Sequence, residues 1–367
     1  MTGPPIDDLA VSVFTVPTDG PESDGTLTWT ATTVVVAEPT AGGVTGLGFT
    51  YASPAAATVI EHSLRTAVIG VDAMNVASAW RAMVDAVRNI GRPGIASSAI
   101  AAVDVALWDL KAKLLDLPVA DLLGRCHDDV AIYGSGGFTS YTDDELIDQL
   151  GGWVHDDQIG RVKMKVGTGW GRQPERDVQR VAAVRAAIGT TAELFVDANG
   201  AYTRKQAVRL AASFADAGAT WFEEPVSSDD LAGLHEIRGL TTMDVAAGEY
   251  GYDLVYFQRM CAAGAVDVLQ ADVTRCGGIT EWLRAAAVAA AHGLDISAHC
   301  AQSLHAHVAC AVPNLRHVEY FHDHARLDRL LFDGVLEPAG GRLRPDPARP
   351  GLGLDLKRSD AERFRVR

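Results

Sequence analysis

The sequence predicts an α/β fold, a closed barrel of eight βα units preceded by an α+β domain, and two observations carry that prediction. From VAIYGSGG at residue 130 onwards, strand-like apolar runs alternate with helix-like segments without interruption, and strict βαβα alternation means parallel strands. Three acids, Asp197, Glu223 and Glu249, stand at intervals of 26 residues, each ending a short apolar run (ELFVDAN, TWFEEP, MDVAAGE). That period is about one strand plus one helix. In a closed barrel the same end of every strand points to one mouth, so carboxylates distant in sequence converge there.

Before the barrel, residues 28–37 (TWTATTVVVA) and 45–51 (TGLGFTY) are β-rich runs joined by EPTAGG and read as an antiparallel pair. Residues 54–69, 75–89 and 97–117 have apolar positions at helical spacing, and the last run stops at Pro118. Helices of the alternating part follow as PERDVQRVAAVRAAIG, TRKQAVRLAASFADAG, SDDLAGLHEIRG, YDLVYFQRMCAAG and GGITEWLRAAAVAAAHG, several closed by Gly. After about residue 333 a Gly/Pro-rich tail is expected to pack back on the first domain. The expected division is a cap over 1–125, a barrel over 126–333 and a tail over 334–367.

Composition narrows the function. Hydrophobic residues make up 48% of the 367, enough for a large core, and the net charge of −15 with no basic run argues against nucleic acid. Five cysteines without CxxC spacing suit reduced thiols and a cytoplasmic location. No apolar stretch reaches membrane-spanning length, so no membrane partner is expected. A small carboxylate substrate and a homo-oligomer of the same chain are the expected partners.

Seven successive apolar runs end in an ionisable residue: Lys163 and Lys165, then Asp197, Glu223, Glu249, Asp272, His299 and Glu319. A single strand-end acid is commonly a helix cap, but three on successive strands would repel one another unless a cation compensates, and an all-oxygen cluster suits Mg²⁺. In FEEP, spacing leaves Glu223 and Glu224 both open. Lys163 and Lys165 share one face of a strand, and two adjacent ammonium groups are expected to lower each other's pKa, freeing one as a base. Asp272 and His299, on neighbouring strands, form a candidate dyad opposite the lysines. His305 and His307 fall on different faces of a helix; His322 and His324 line the mouth or lie in a surface loop. Gly277 and Gly278 are expected to open a helix close to the barrel wall.

These residues resemble the enolase superfamily, and within it the mandelate racemase subgroup. KMK at 163–165, VDAN, EEP, GE at 248–249, the Asp272 and His299 dyad and Glu319 carry the resemblance, which spans nearly the whole chain. It implies a modified (β/α)8 TIM barrel with an N-terminal α+β capping domain completed by the C-terminal tail. It implies Asp197, Glu223 and Glu249 as Mg²⁺ ligands, Lys165 as the base on one substrate face, and Lys163 as a substrate-carboxylate ligand. His299, held by Asp272, would serve the other face, Glu319 would donate a hydrogen bond to a developing enediolate, and Asn199 would touch substrate.

The expected reaction is dehydration of a sugar acid or diacid to a 2-keto-3-deoxy acid, with racemisation or epimerisation of a 2-hydroxy acid as the alternative. The loop at 16–29, with Asp19, Glu22, Ser23, Asp24, Thr26 and Thr28, and the segment 46–51 are placed to close the mouth. Their polarity suits a polyol. A metal-dependent barrel hydrolase would carry HxH at the first strand, where this chain has IYGSGG, and a non-catalytic barrel would lack bases or ligands, of which none is missing.

Overall fold

The computed structural model describes residues 3–367. The chain opens with an antiparallel sheet of β1 (Asp8–Ser23), β2 (Thr28–Ala41), β3 (Val44–Thr45) and β4 (Gly48–Tyr51). β2 pairs with β4 as expected, with Val34 opposite Tyr51 and Ala37 opposite Gly48. Residues 16–29, expected as a loop, are instead mostly the ends of β1 and β2. β1 pairs with β2 to Pro17, slips register, and resumes at Glu22 opposite Trp29. Pairing to the TWTATT run satisfies this backbone, and only a turn at 24–27 is left. Asp24 closes that turn, accepting the amides of Thr26 (2.5 Å) and Leu27 (2.7 Å).

A helix at Ile95–Leu114 packs across β2 and β4 and is almost wholly buried. The approach is close: a Cβ on Gly48 would lie 2.3 Å from the Ala106 amide nitrogen, so only glycine fits. Eight parallel strands follow: β5 (Val130–Gly136), β6 (Arg161–Lys165), β7 (Glu193–Asp197), β8 (Ala219–Glu223), β9 (Asp244–Ala247), β10 (Val268–Ala271), β11 (Asp295–Ala298) and β12 (Leu315–Phe321). They pair in chain order, and β12 pairs with β5 to close the ring, giving the modified TIM barrel.

Alternation along these strands sorts the barrel interior into layers. Tyr133, Phe195, Trp221, Ala246 and Val268 form a buried plug around which His317 packs. One pleat further on, Lys163, Lys165, Asp197, Glu223 and Glu319 face the mouth. Because Trp221 and Glu223 share a parity, Glu223 points inward. No helix among the described residues is long and apolar enough to cross a membrane.

The tail returns to the cap and also to the barrel. Arg342–Leu343 pairs antiparallel with β5, while the Val119 amide donates to the Gly351 carbonyl at 2.8 Å. Asp109, fully buried in the long helix, joins three pieces: it accepts the amides of Leu47 (2.7 Å) and Leu352 (2.6 Å) and pairs with Lys113 (2.8 Å). Asp109→Ala would strand two buried amides, so urea denaturation should show a loss of roughly 3 kcal/mol in unfolding free energy.

Candidate active site

All the strand-end residues named from the sequence meet at the mouth. Lys163 Nζ donates to Glu223 Oε1 at 2.6 Å, lies 2.8 Å from Glu319 Oε1 and 3.5 Å from Asp197 Oδ2. Lys165 Nζ donates to Asp197 Oδ2 at 2.5 Å. Trp221 Nε1 holds the other oxygen of Glu223 (2.9 Å), and the Asn199 amide holds Asp197 Oδ1 (2.9 Å). Glu249 follows β9 by two residues, with Arg275 Nη1 3.0 Å from its Oε1. Oxygens of Asp197, Glu223 and Glu249 lie within 4.8 Å of one another, all buried.

The charge balance tests whether a cation fits. Asp197, Glu223, Glu224, Glu249, Asp272 and Glu319 are buried here against the permanent cations Lys163, Lys165 and Arg275. Burial and the neighbouring Asp197 push Glu223 up to about 7, and burial together with Glu249 holds Glu224 well above the carboxylate range. Glu249 Oε2 is buried without a hydrogen-bond partner. A hard divalent cation among these oxygens supplies the missing positive charge, and the donor set is the one Mg²⁺ takes.

Two expectations change sign. The lysine pair was expected to lower its own pKa; here burial, the largest influence, and Lys163 both oppose the charge on Lys165, but Asp197, Glu319 and Glu249 together outweigh them, and its pKa is raised. Lys163 is likewise raised, by Glu223 and Glu319. Glu319 was expected as a hydrogen-bond donor, yet it forms an ion pair with Lys163 (2.8 Å) and accepts the Cys300 amide (2.8 Å). Despite burial, Lys163 and His299 hold it well below its ordinary range, so in this arrangement it is an anion.

Across the mouth, Asp272 and His299 meet as a dyad. Asp272 Oδ2 is 2.8 Å from His299 Nδ1, and Asp272 Oδ1 accepts the amide and hydroxyl of Thr274, both at 2.7 Å. His299 Nε2 faces Glu249 Oε2 (3.3 Å) and Glu319 Oε2 (3.9 Å). Burial disfavours the imidazolium, but Glu249 above all raises the pKa of His299.

The remaining histidines divide. His305 Nδ1 bonds the Cys300 carbonyl (2.8 Å) and its Nε2 accepts the Val273 amide (3.0 Å), so the ring ties the chain after Asp272 to the chain after His299. His324 lines the cavity, whereas the half-exposed His322 pairs with Asp19 at 3.0 Å. The helix opened by Gly278 abuts the cap helix: a Cβ there would meet Asp104 at 2.3 Å. Of the two histidines left between mouth and surface loop, His324 is brought to the cavity by the first turn of the helix at His322–Leu331, while Arg275, placed by a turn, also lines the cavity and no spacing in the sequence marks it.

Residues 11–124 match the mandelate racemase/muconate lactonizing enzyme N-terminal domain, and residues 145–361 the enolase C-terminal domain-like family. The chain belongs to the enolase superfamily, in its mandelate racemase/muconate lactonizing enzyme branch. It is 31% identical to L-talarate/galactarate dehydratase of Salmonella typhimurium over 97% of this chain and 90% of that one. A mandelate racemase/muconate lactonizing enzyme-like protein from Rubrobacter xylanophilus superposes with TM-score 0.96 at 53% identity, covering 99% and 100% of the two chains. A racemase from Streptomyces coelicolor with bound magnesium gives TM-score 0.92 at 29% identity, covering 98% and 100%.

Mg²⁺ at a hundredfold excess over its dissociation constant should raise stability by about 3 kcal/mol in thermal unfolding, and Glu249→Gln should reduce that gain. A second measurement concerns acid. Burial pushes His305 down to about 4, whereas unfolded histidine titrates near ~6.5, so the unfolded chain binds the proton first as pH falls. Stability is therefore lost between about pH 6.5 and 4, by about 3 kcal/mol for this ring. Urea unfolding at pH 7 and pH 4.5 should show a smaller acid loss in His305→Gln.

Proposed function

We propose that this enzyme removes the proton α to a substrate carboxylate and dehydrates a sugar acid to a 2-keto-3-deoxy acid. The observation that carries this reading is that Lys165 and His299, from opposite sides of the ring, line one cavity of about 390 Å³ together with Glu249, whose carboxylate clusters with those of Asp197 and Glu223. The dehydratase relative, aligned over nearly its whole length, supports the same chemistry.

An α-proton beside a carboxylate is weakly acidic because its removal adds a second negative charge to the same group. When bound by Asp197, Glu223 and Glu249, Mg²⁺ supplies positive charge beside the substrate carboxylate and offsets the hold of Asp197 on Lys165. Lys163, beside Asp197 and Glu319, stabilises charge as it develops on the carboxylate oxygens. A substrate carboxylate arriving next to Glu319 raises that residue's proton affinity, the condition under which it becomes a donor. Asn199, on the cavity wall with its side-chain oxygen unpartnered, is placed to bind substrate.

Lys165 takes the C2 proton, and the enediolate expels the 3-hydroxyl as water with a proton from the His299 imidazolium. The resulting enol becomes the keto acid. Asp272 keeps Nδ1 protonated, so Nε2 is the nitrogen that gives or takes the proton.

The same two bases can instead pass a proton across one carbon, which favours a racemase as the second reading. Incubation with acid sugars and Mg²⁺ in D₂O separates them: keto acid is expected, whereas deuterated, inverted substrate without keto acid would remove the dehydratase. Lys165→Met should lower kcat on the order of 10³-fold with the circular dichroism spectrum unchanged; undiminished turnover would refute its role.

A further inference from the structure

The cavity has two unlike walls. Its charged groups Lys165, Glu249, Asp272, Arg275, His299 and Glu319 come from the barrel, and its cations are committed there: Lys165 to Asp197, His299 to Asp272, and Arg275 to Glu249 (3.0 Å) and the ring of Tyr250. On the cap wall, among the described lining residues, the one charged group is the anion Asp24.

Apart from the exposed hydroxyl of Ser53, which accepts the Ala55 amide (3.3 Å), the side-chain polar atoms of that wall are turned inward. Trp29 Nε1 donates to Glu22 (2.8 Å), Thr32 to Asp323 (2.5 Å), Tyr51 to Asp328 (2.7 Å), and Thr33 bonds Thr15 (2.9 Å). Glu22, Ser23 and Thr26, whose polarity suggested a polyol, are not on the wall: Glu22 is buried behind Trp29, Ser23 bonds Thr139, and Thr26 bonds Asp24. Carbon surface of Leu27, Trp29, Ala31, Tyr51 and Phe321 is left to face the substrate. Trp29 and Phe321 both pack edge-on against Phe138, at 5.6 and 5.8 Å, which keeps the rings in place. His324, stacked on Tyr51 with Nδ1 accepting the Ala301 amide, adds an uncharged donor through Nε2.

Resting on the acid-sugar reading above, we propose that the substrate is a monocarboxylate whose remote end is apolar, a terminally deoxygenated aldonate rather than an aldarate. A second carboxylate against this wall would lose its water with no cation to face and Asp24 nearby. A terminal methyl instead covers carbon with carbon.

Matched triads differing only at C6 test this: galactarate, galactonate and 6-deoxygalactonate, and the corresponding gluco and manno acids. Isothermal titration of Mg²⁺-loaded Lys165→Met protein reads binding apart from turnover. In the configurations that bind, the 6-deoxy acid should bind at least about tenfold tighter than the aldarate. Leu27→Arg, an exposed change at the turn, should narrow that gap. Equal or tighter aldarate binding, or binding by no triad, overturns the proposal. Failure of the dehydratase reading shows separately, as wild-type enzyme that exchanges deuterium into these acids without forming keto acid.

Discussion

Negative charge buried at the mouth of a closed ring is the constraint on which the rest depends. Six carboxyl groups stand against three permanent cations, so Glu223 and Glu224 are driven towards their protonated forms, and a divalent cation among the oxygens would let them ionise. The barrel makes this possible by removing strand edges and aiming alternate side chains inward, so Lys163, Asp197, Glu223 and Glu319 cannot turn to water. Beneath them the Tyr133, Phe195 and Trp221 plug denies solvent from below, and the same Trp221 hands its indole N–H to Glu223.

Supporting contacts hold the two halves of the site in register. On the dyad side, Thr274 fixes Asp272, and His305 fastens the loops after β10 and β11 to each other, while the Cys300 amide anchors Glu319. On the cap side, Asp109 gathers strand, helix and tail at one buried carboxylate. The cap therefore meets the barrel as a fixed wall, and what that wall presents follows from which of its polar atoms are already bonded.

Much of the barrel was legible because its signal is periodic. The 26-residue interval, the strand-end ionisable residues and the KMK parity each follow from one strand and one helix per unit. The cap was less legible. Residues 16–23 have Gly, Pro and acids that read as loop, yet pairing with β2 makes them strand, and tertiary contact overrides local propensity. The lysines show the same limit in electrostatics: sequence placed one ammonium beside another, whereas the nearer partners are carboxylates from other strands.

Residue order by itself determined the ring, the parity of its inward side chains and hence which acids share a mouth, because a barrel repeats one geometric rule along the chain. Tertiary structure alone decided the protonation of Lys165 and Glu319, the entry of Arg275 to the cavity, the choice of His324 over His322 as a lining residue, and the apolar character of the cap wall. Those properties depend on distances between segments far apart in sequence, and both Coulomb energy and hydrogen-bond satisfaction are functions of distance and direction, which no spacing along a chain contains.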